Sequence, residues 1–306
     1  MVAVLGEVLW DVFDHSRRLG GAPLNFAAHA CRLGYDPLLI SAVGADSLGE
    51  EALGAIEALG LRSEFLQKTA RFPTGSACVH LGPRDQTQFM IKRPAAYDAI
   101  RISDWDLEQL ASHAPGWLYH GTLFASTAEG EAALCRLANG LPAAARFYDL
   151  NLRPECWNAP LVTRLLRNAD AVKLNEEEFE RVQDFTGLPS AAEAFCREGA
   201  ARYGWQAACV TFASRGCAIF VQGDYVEARG HCVDVADPVG AGDMAGRCDR
   251  GVRQSRGSAG RQPRRGDSSV DARRGSCIVI APSNAPADHP AQAVPPLGVD
   301  EIGHPR

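Results

Sequence analysis

No run of apolar residues in this chain approaches the roughly 20 that a helix needs to cross a bilayer, and no basic segment precedes the apolar start at Met1-Val-Ala-Val-Leu-Gly6. The sequence therefore predicts neither a membrane span nor a secretory leader, and it places the protein in the cytoplasm. Surplus positive charge is lacking too. With 31 Lys and Arg against 37 Asp and Glu the net charge is −6, which argues against a nucleic-acid surface, since duplex binding needs a concentrated cationic face. A small-molecule ligand is the expectation. Ten cysteines run from Cys31 to Cys277, but no C-x-x-C pair and no histidine at ligand spacing accompanies them. In a reducing compartment this pattern describes small, mostly buried side chains rather than disulfides or zinc ligands, and it assigns them no chemistry. Gly (30) and Pro (18) stand at ordinary levels, which excludes fibrous classes, and 306 residues with 46% hydrophobic content suffice for one large α/β core or two modest ones.

What is present is an alternation of strand and helix patterns. Val2 to Asp11 reads as a buried strand ending in an acid, with Asp11 at the carboxyl edge of a parallel sheet, where such sheets present ligand groups. Gly20 and Gly21 then precede a helix that runs from Asn25 in its first turn to a stop at Gly34. This is either a polyol site, with bare backbone and an amide facing hydroxyls, or an ordinary helix entry. Leu38–Gly44 is the second strand, followed by a helix from Glu50 to Leu59, which is the βαβ rhythm of a parallel sheet. Between Phe72 and Ile91 the pattern changes to two short strands around the turn Gly82-Pro-Arg-Asp85, predicting a small β lid or an edge hairpin. Further along, the strand predicted over Ala144–Arg153 carries Asp149, Asn151 and Arg153 at its end. Asn175 and Glu178 fit a helix capping box equally as well as a pair that organises water around magnesium.

The stretch Val235-Ala-Asp-Pro-Val-Gly-Ala-Gly-Asp243 sets three small residues, Gly240, Ala241 and Gly242, directly before an acid. A helix starting there would aim unpaired N–H groups and a positive dipole end at a phosphate, and Asp243 would stand ready to take the proton of an attacking alcohol. A glycine turn followed by an Asp N-cap explains the same residues.

Set together, these stretches resemble the PfkB (ribokinase-like) sugar kinases, and within them the bacterial fructokinases. The resemblance rests on Gly6-Glu-Val-Leu-Trp-Asp11, Gly20-Gly-Ala-Pro-Leu-Asn25, Val43-Gly-Ala-Asp-Ser-Leu-Gly49, Pro94-Ala-Ala-Tyr-Asp98, Asp149-Leu-Asn-Leu-Arg-Pro154 with Trp157, Leu174-Asn-Glu-Glu-Glu178 and Asp237-Pro-Val-Gly-Ala-Gly-Asp243, in family order. It implies a three-layer α/β/α core over residues 1–243 with a mostly parallel sheet. It also implies a β lid from about 72–93 and part of 8–20. The implied activity is MgATP-dependent phosphorylation of a sugar hydroxyl, fructose first among the candidates. By the same resemblance Asp243 is the base and Gly240 to Gly242 form the anion hole. Asp11, Gly21, Asn25, Arg93 and Arg153 contact the sugar; Asn175, Thr211 and Gly216 the nucleotide; Glu178 reaches Mg2+ through water. A homodimer through the exposed lid sheet is a further expectation.

Two departures accompany the resemblance. Where the family has Thr-x-Gly at the nucleotide turn, this chain has Thr211-Phe-Ala213. After Asp243 the family pattern stops: residues 244–306 hold ten Arg, no Lys, seven Pro, eight Gly and no aromatic residue, with nine Val, Leu and Ile in 63. That apolar share, about 14%, lies below what a segment needs to order itself, and an Arg-rich tail of this kind can also bind nucleic acid or acidic partners. The abrupt stop predicts a change of coding frame just past Asp243, with poor folding or weak activity as its consequence. It also opens a second functional reading, a sugar-binding remnant that has lost its nucleotide half.

Overall fold

The computed structural model describes residues 1–81 and 87–230, the side chains of 79–89 excepted. The expectations for the turn at Gly82–Asp85, for Gly240, Ala241, Gly242 and Asp243, and for the Arg-rich tail lie outside the described residues. The first third of the chain contains β1 (Val2–Leu5), β2 (Leu9–Val12), β3 (Arg17–Gly20), α1 (Ala22–Arg32), β4 (Pro37–Gly44), α2 (Ser47–Ala58), β5 (Leu66–Thr69), β6 (Gly75–Leu81) and β7 (Thr87–Lys92). Then follow α3 (Asp104–Ser112), β8 (Trp117–Gly121), α4 (Thr122–Ala125), α5 (Ala128–Gly140), β9 (Ala145–Asp149), α6 (Ala159–Arg167) and β10 (Ala171–Asn175). Helices α7 (Glu176–Thr186) and α8 (Ala192–Tyr203) precede β11 (Ala207–Thr211), β12 (Gly216–Val221) and β13 (Asp224–Arg229).

Among the described residues the strands form a nine-stranded sheet, in the order β13-β12-β11-β10-β9-β8-β1-β4-β5, and a four-stranded sheet, in the order β3-β2-β6-β7. The large sheet is parallel from β5 to β11 and antiparallel only at β12 and β13. Strands β1 and β4 read as near-continuous apolar runs because both faces are covered. Ala3, Leu5, Leu38 and Ile40 point into one cluster, with Leu134 and Leu137 of α5, Leu161 and Leu165 of α6, Phe179 of α7 and Phe195 of α8. Val2, Val4, Leu39 and Val43 point the other way, onto Leu24 and Phe26 of α1 and Ala52 and Ile56 of α2. The result is a mixed α/β fold in three layers, as the sequence predicts.

Two predicted details are corrected. Val2–Asp11 is two strands in two sheets, β1 in the large one and β2 in the small one, so Asp11 belongs to the small sheet and not to the edge of the large one. The break is hidden in the sequence because Val8, Leu9 and Trp10 remain buried beyond it, and the apolar run continues through the turn. The strand predicted to reach Arg153 stops at Asp149, since Asn151 turns to a φ of 42°.

Helix α2 starts at Ser47 rather than Glu50 because Asp46 caps it, accepting the Gly49 N–H at 2.8 Å. The same carboxylate accepts the Thr74 hydroxyl at 2.6 Å and its N–H at 2.9 Å, while Thr74 Oγ1 accepts the Gly44 N–H at 2.9 Å. Burial works against the charge of Asp46, but these donors outweigh it and hold its carboxyl below the usual range. One side chain thus ties the β4–α2 corner to the start of β6. Replacing Asp46 by Ala is expected to cost at least the ~0.5–2 kcal/mol of a lost N-cap, read as a lower denaturant midpoint at unchanged slope.

His120, at the end of β8, is stacked on Tyr148 with ring centroids 5.2 Å apart. Burial drives its pKa down to about 4. As pH falls through the window between the unfolded value near 6.5 and about 4, the unfolded chain takes up a proton that the folded one refuses, so stability is lost. Between pH 7 and pH 5 the wild type should lose up to about 2 kcal/mol more than His120→Phe. Equal losses in paired urea titrations would contradict the assignment.

Candidate active site

Strands β1, β4, β8, β9, β10 and β11 are parallel, so their carboxyl ends lie along one edge of the large sheet. The loops leaving that edge hold most of the candidate residues. Asp11, on β2, packs against Gly20, where an added Cβ would stand 2.5 Å from Asp11 Oδ2. Glycine is therefore what makes room for the carboxylate. Gly21 takes a φ of 111° immediately before α1, and a Cβ there would meet the Glu7 carbonyl oxygen at 2.5 Å. Asn25 sits one turn into α1, its N–H donating to Gly21 O at 2.9 Å. Asp11, Gly21 and Asn25 thus gather where the small sheet meets α1. Buried Glu7 lies beside them, one residue of the Gly6–Asp11 motif with no spacing signal of its own.

Arg93 follows β7 and is engaged from several sides. Its Nε donates to Asp98 Oδ2 at 3.3 Å, its Nη2 to Asp98 Oδ1, and its Nη1 to Leu123 O at 3.1 Å and to Ser126 Oγ. Burial alone would lower its pKa, but the carboxylate of Asp98 reverses the effect, so the guanidinium stays charged. It lines a cavity of about 300 Å³ together with Ser126, Thr127, Trp157, Asn158 and Leu161. Thr127 and Asn158 are the N-caps of α5 and α6, so hydroxyl, amide and guanidinium groups share one wall suited to a polyol. Arg153 lies half-buried in the loop after β9, between Asn151 at φ 42° and Glu155 at φ 61°.

On the other side of β9, the register places Asn175 of β10 beside Thr211 of β11. Asn175 caps α7, accepting the Glu178 N–H at 2.9 Å, and Glu178 answers by accepting the Asn175 N–H at 2.8 Å. The capping box is present. Glu178 also accepts the Leu152 N–H at 2.7 Å, so it ties the Arg153 loop to the start of α7. Burial raises the pKa of Glu178, and the nearby Lys173 ammonium and these amides offset only part of that. Gly216, with φ 109°, opens β12, and a Cβ there would stand 1.9 Å from Ala228 O, so the β12–β13 ladder requires glycine. Ala213, where the resemblance expects glycine, takes a φ of 49°.

The most consequential group is one that local spacing does not bring together. Lys173 Nζ lies 3.0 Å from Asp149 Oδ1, and Tyr119 donates its hydroxyl to Asp149 Oδ2 at 3.0 Å, all three buried. The signal was visible in outline: Ala171-Val-Lys-Leu-Asn175 carries a charge in the middle of a buried strand, and such charges demand a partner.

A family model described as pfkB family carbohydrate kinase matches residues 3–245. A fructokinase of Escherichia coli is 26% identical over 255 residues, covering 79% of this chain and 80% of the relative. A protein named as a sugar kinase in Pyrococcus horikoshii is 23% identical over 262 residues, with 79% of each chain covered. Among solved structures, that of a Xylella fastidiosa fructokinase with bound ATP superposes with a TM-score of 0.69 at 24% identity, covering 79% of this chain and 77% of that one. The strand order, the paired helical layers and a match over most of the chain lead to one conclusion: this chain belongs to the pfkB family of carbohydrate kinases.

Proposed function

We propose that the protein transfers the γ-phosphoryl group of ATP to a hydroxyl of a small sugar, fructose first among the candidates, with Asp243 as general base. The observation that carries this reading is the family match, which runs through residue 245 and so includes Gly240, Ala241, Gly242 and Asp243. The fructokinase name of the Escherichia coli relative supports fructose, and the ATP in the Xylella fastidiosa structure supports the nucleotide. Asp11, Gly21 and Asn25 present a carboxylate, bare backbone and an amide at one junction, chemistry suited to sugar hydroxyls. In this reading the small sheet is the lid of a core spanning residues 1–243. It positions the sugar, Arg93 and Arg153 line its far side, and Asn175, Thr211 and Gly216 hold the nucleotide. Asp243 takes the hydroxyl proton while the amides of Gly240 to Gly242 receive the charge that develops on the phosphate.

Magnesium, bound with ATP, would neutralise phosphate charge. Among the described residues no group of three acids, histidines or cysteines is set to hold a metal, and each Glu178 oxygen accepts one amide, leaving a lone pair apiece for water. That fits a role for Glu178 through water.

One observation favours the second reading, a sugar-binding remnant. Ala213 occupies a left-handed conformation that costs a residue with a Cβ about 1 kcal/mol, at the turn assigned to the nucleotide. The Ala213 methyl also stands where the resemblance puts bare backbone against the nucleotide, so Ala213→Gly should lower KM for ATP several-fold; an unchanged or higher KM would remove the turn from the nucleotide site. The base is tested with a sugar panel and coupled ADP release. Asp243→Asn should lose roughly 10²–10⁴-fold in kcat while fructose still raises its melting temperature. Sugar-induced stabilisation of the wild type with no ADP release would replace the kinase reading by the remnant.

A further inference from the structure

The ladder between β11 and β12 pairs Cys209 with Ile219 and Thr211 with Cys217. Residues opposite each other in an antiparallel pair share a face, and so do residues two apart on one strand. Cys209 and Cys217 are therefore diagonal neighbours on one face of the sheet. On that face each thiol alters the other's acidity: Cys217 is brought down by the Cys209 thiol against the opposing effect of its own burial, and Cys209 is pushed up by Cys217 and by burial. Cys209 is buried and Cys217 only half-buried, so one thiol is reachable from solvent and the other waits beneath it. Both are reduced.

We propose that Cys209 and Cys217 are a thiol oxidation site, closed to a disulfide by hydrogen peroxide, with Cys217 attacking first. The Cys217 thiolate takes one oxygen of the peroxide as the O–O bond breaks, giving a sulfenic acid and a hydroxide that is protonated to water. The Cys209 sulfur then displaces the hydroxyl from Cys217, the S–S bond forms, and the departing hydroxide leaves as water with the Cys209 proton. Two thiols and one peroxide become one disulfide and two waters.

Closure has a mechanical consequence. Diagonal neighbours in a regular ladder have Cα atoms roughly 7–8 Å apart, whereas a disulfide holds them at about 5.5–6 Å. The strands must shift to make the bond, and the turn that joins them, from Phe212 to Arg215, must shift with them. That turn already holds Ala213 at φ 49° and is bounded by Thr211 and Gly216. Oxidation therefore weakens nucleotide binding, a consequence that rests on the function proposed above, while the disulfide itself does not.

The test uses the full-length protein, treated with hydrogen peroxide and digested with trypsin without reduction. Cleavage after Arg202, Arg215 and Arg229 separates the two thiols, so the bond appears as Tyr203–Arg215 linked to Gly216–Arg229, released by dithiothreitol. Cys217→Ser and, separately, Cys209→Ala should each abolish this species. The expected kinetic effect is a rise in KM for ATP on the order of tenfold, a common size for coupling between two sites, reversed by reductant and absent from both variants. Linkage of Cys217 to Cys232, or peroxide treatment that leaves the two peptides unlinked, would overturn the proposal. A disulfide that forms with KM unchanged would overturn its coupling to the turn. If the disulfide forms in a protein whose reduced form releases no ADP, the oxidation site stands and the kinase reading falls.

Discussion

Between the end of β9 and the middle of β10, the Lys173 ammonium and the Asp149 carboxylate lie 3.0 Å apart with side chains only 6% and 4% exposed. Stripping water from two such charges costs several kcal/mol per ion, which the pair recovers only by close geometry and further hydrogen bonds. Tyr119 of β8 supplies one of these. Three adjacent strands, β8, β9 and β10, are thereby tied together by one polar knot that joins the last residue of β9 to the middle of its two neighbours. The loop that follows Asp149 is secured next, because Glu178 accepts the Leu152 amide while closing the capping box of α7 with Asn175. Candidate residues after β9 and at the start of α7 thus inherit their positions from one buried cluster, which is how such clusters act when every member is satisfied.

The small sheet is attached at corners of the core. Asp46 grips Thr74 at the β4–α2 corner, and Arg93 grips Asp98 and the α4–α5 corner. Trp10 Nε1 donates to Leu48 O at 3.1 Å, and an exposed ion pair joins Arg17 to Glu51 at 2.7 Å. The corner contacts are partly buried and count for more than the exposed pair, since surface ion pairs contribute little. A sheet held in this way can cover the junction of Asp11, Gly21 and Asn25, and the proposed kinase chemistry needs such a cover to keep water from the phosphoryl group.

Much of this architecture was legible in the residues. Strands β4, β10 and β11 announce themselves as apolar runs, and α1 as a helix bounded by Gly21 and Gly34. Strand β13 (Asp224–Arg229) was not legible, because as an exposed edge it carries no alternation of apolar and polar residues. Nor was the break between β1 and β2, because the residues on either side of it, Val2 to Leu5 and Val8 to Trp10, are all buried and apolar. Asn175 and Glu178 were legible as a pair but not in role, since a capping box and a metal-organising pair use the same residues at the same spacing. Arg93 could be marked as a candidate, yet its four hydrogen bonds to Asp98, Leu123 and Ser126 depend on partners up to 33 residues away.

By itself the sequence determined the rhythm of strand and helix, the caps and the glycine positions, because each depends on residues within a turn or two of one another. Tertiary structure alone decided which strands share a sheet, that Asp11 belongs to the small one, that Lys173 meets Asp149, and that Cys209 lies diagonal to Cys217. These are contacts between residues distant in the chain or across a register. They are set by how apolar faces bury against one another, and local spacing carries no information about that choice.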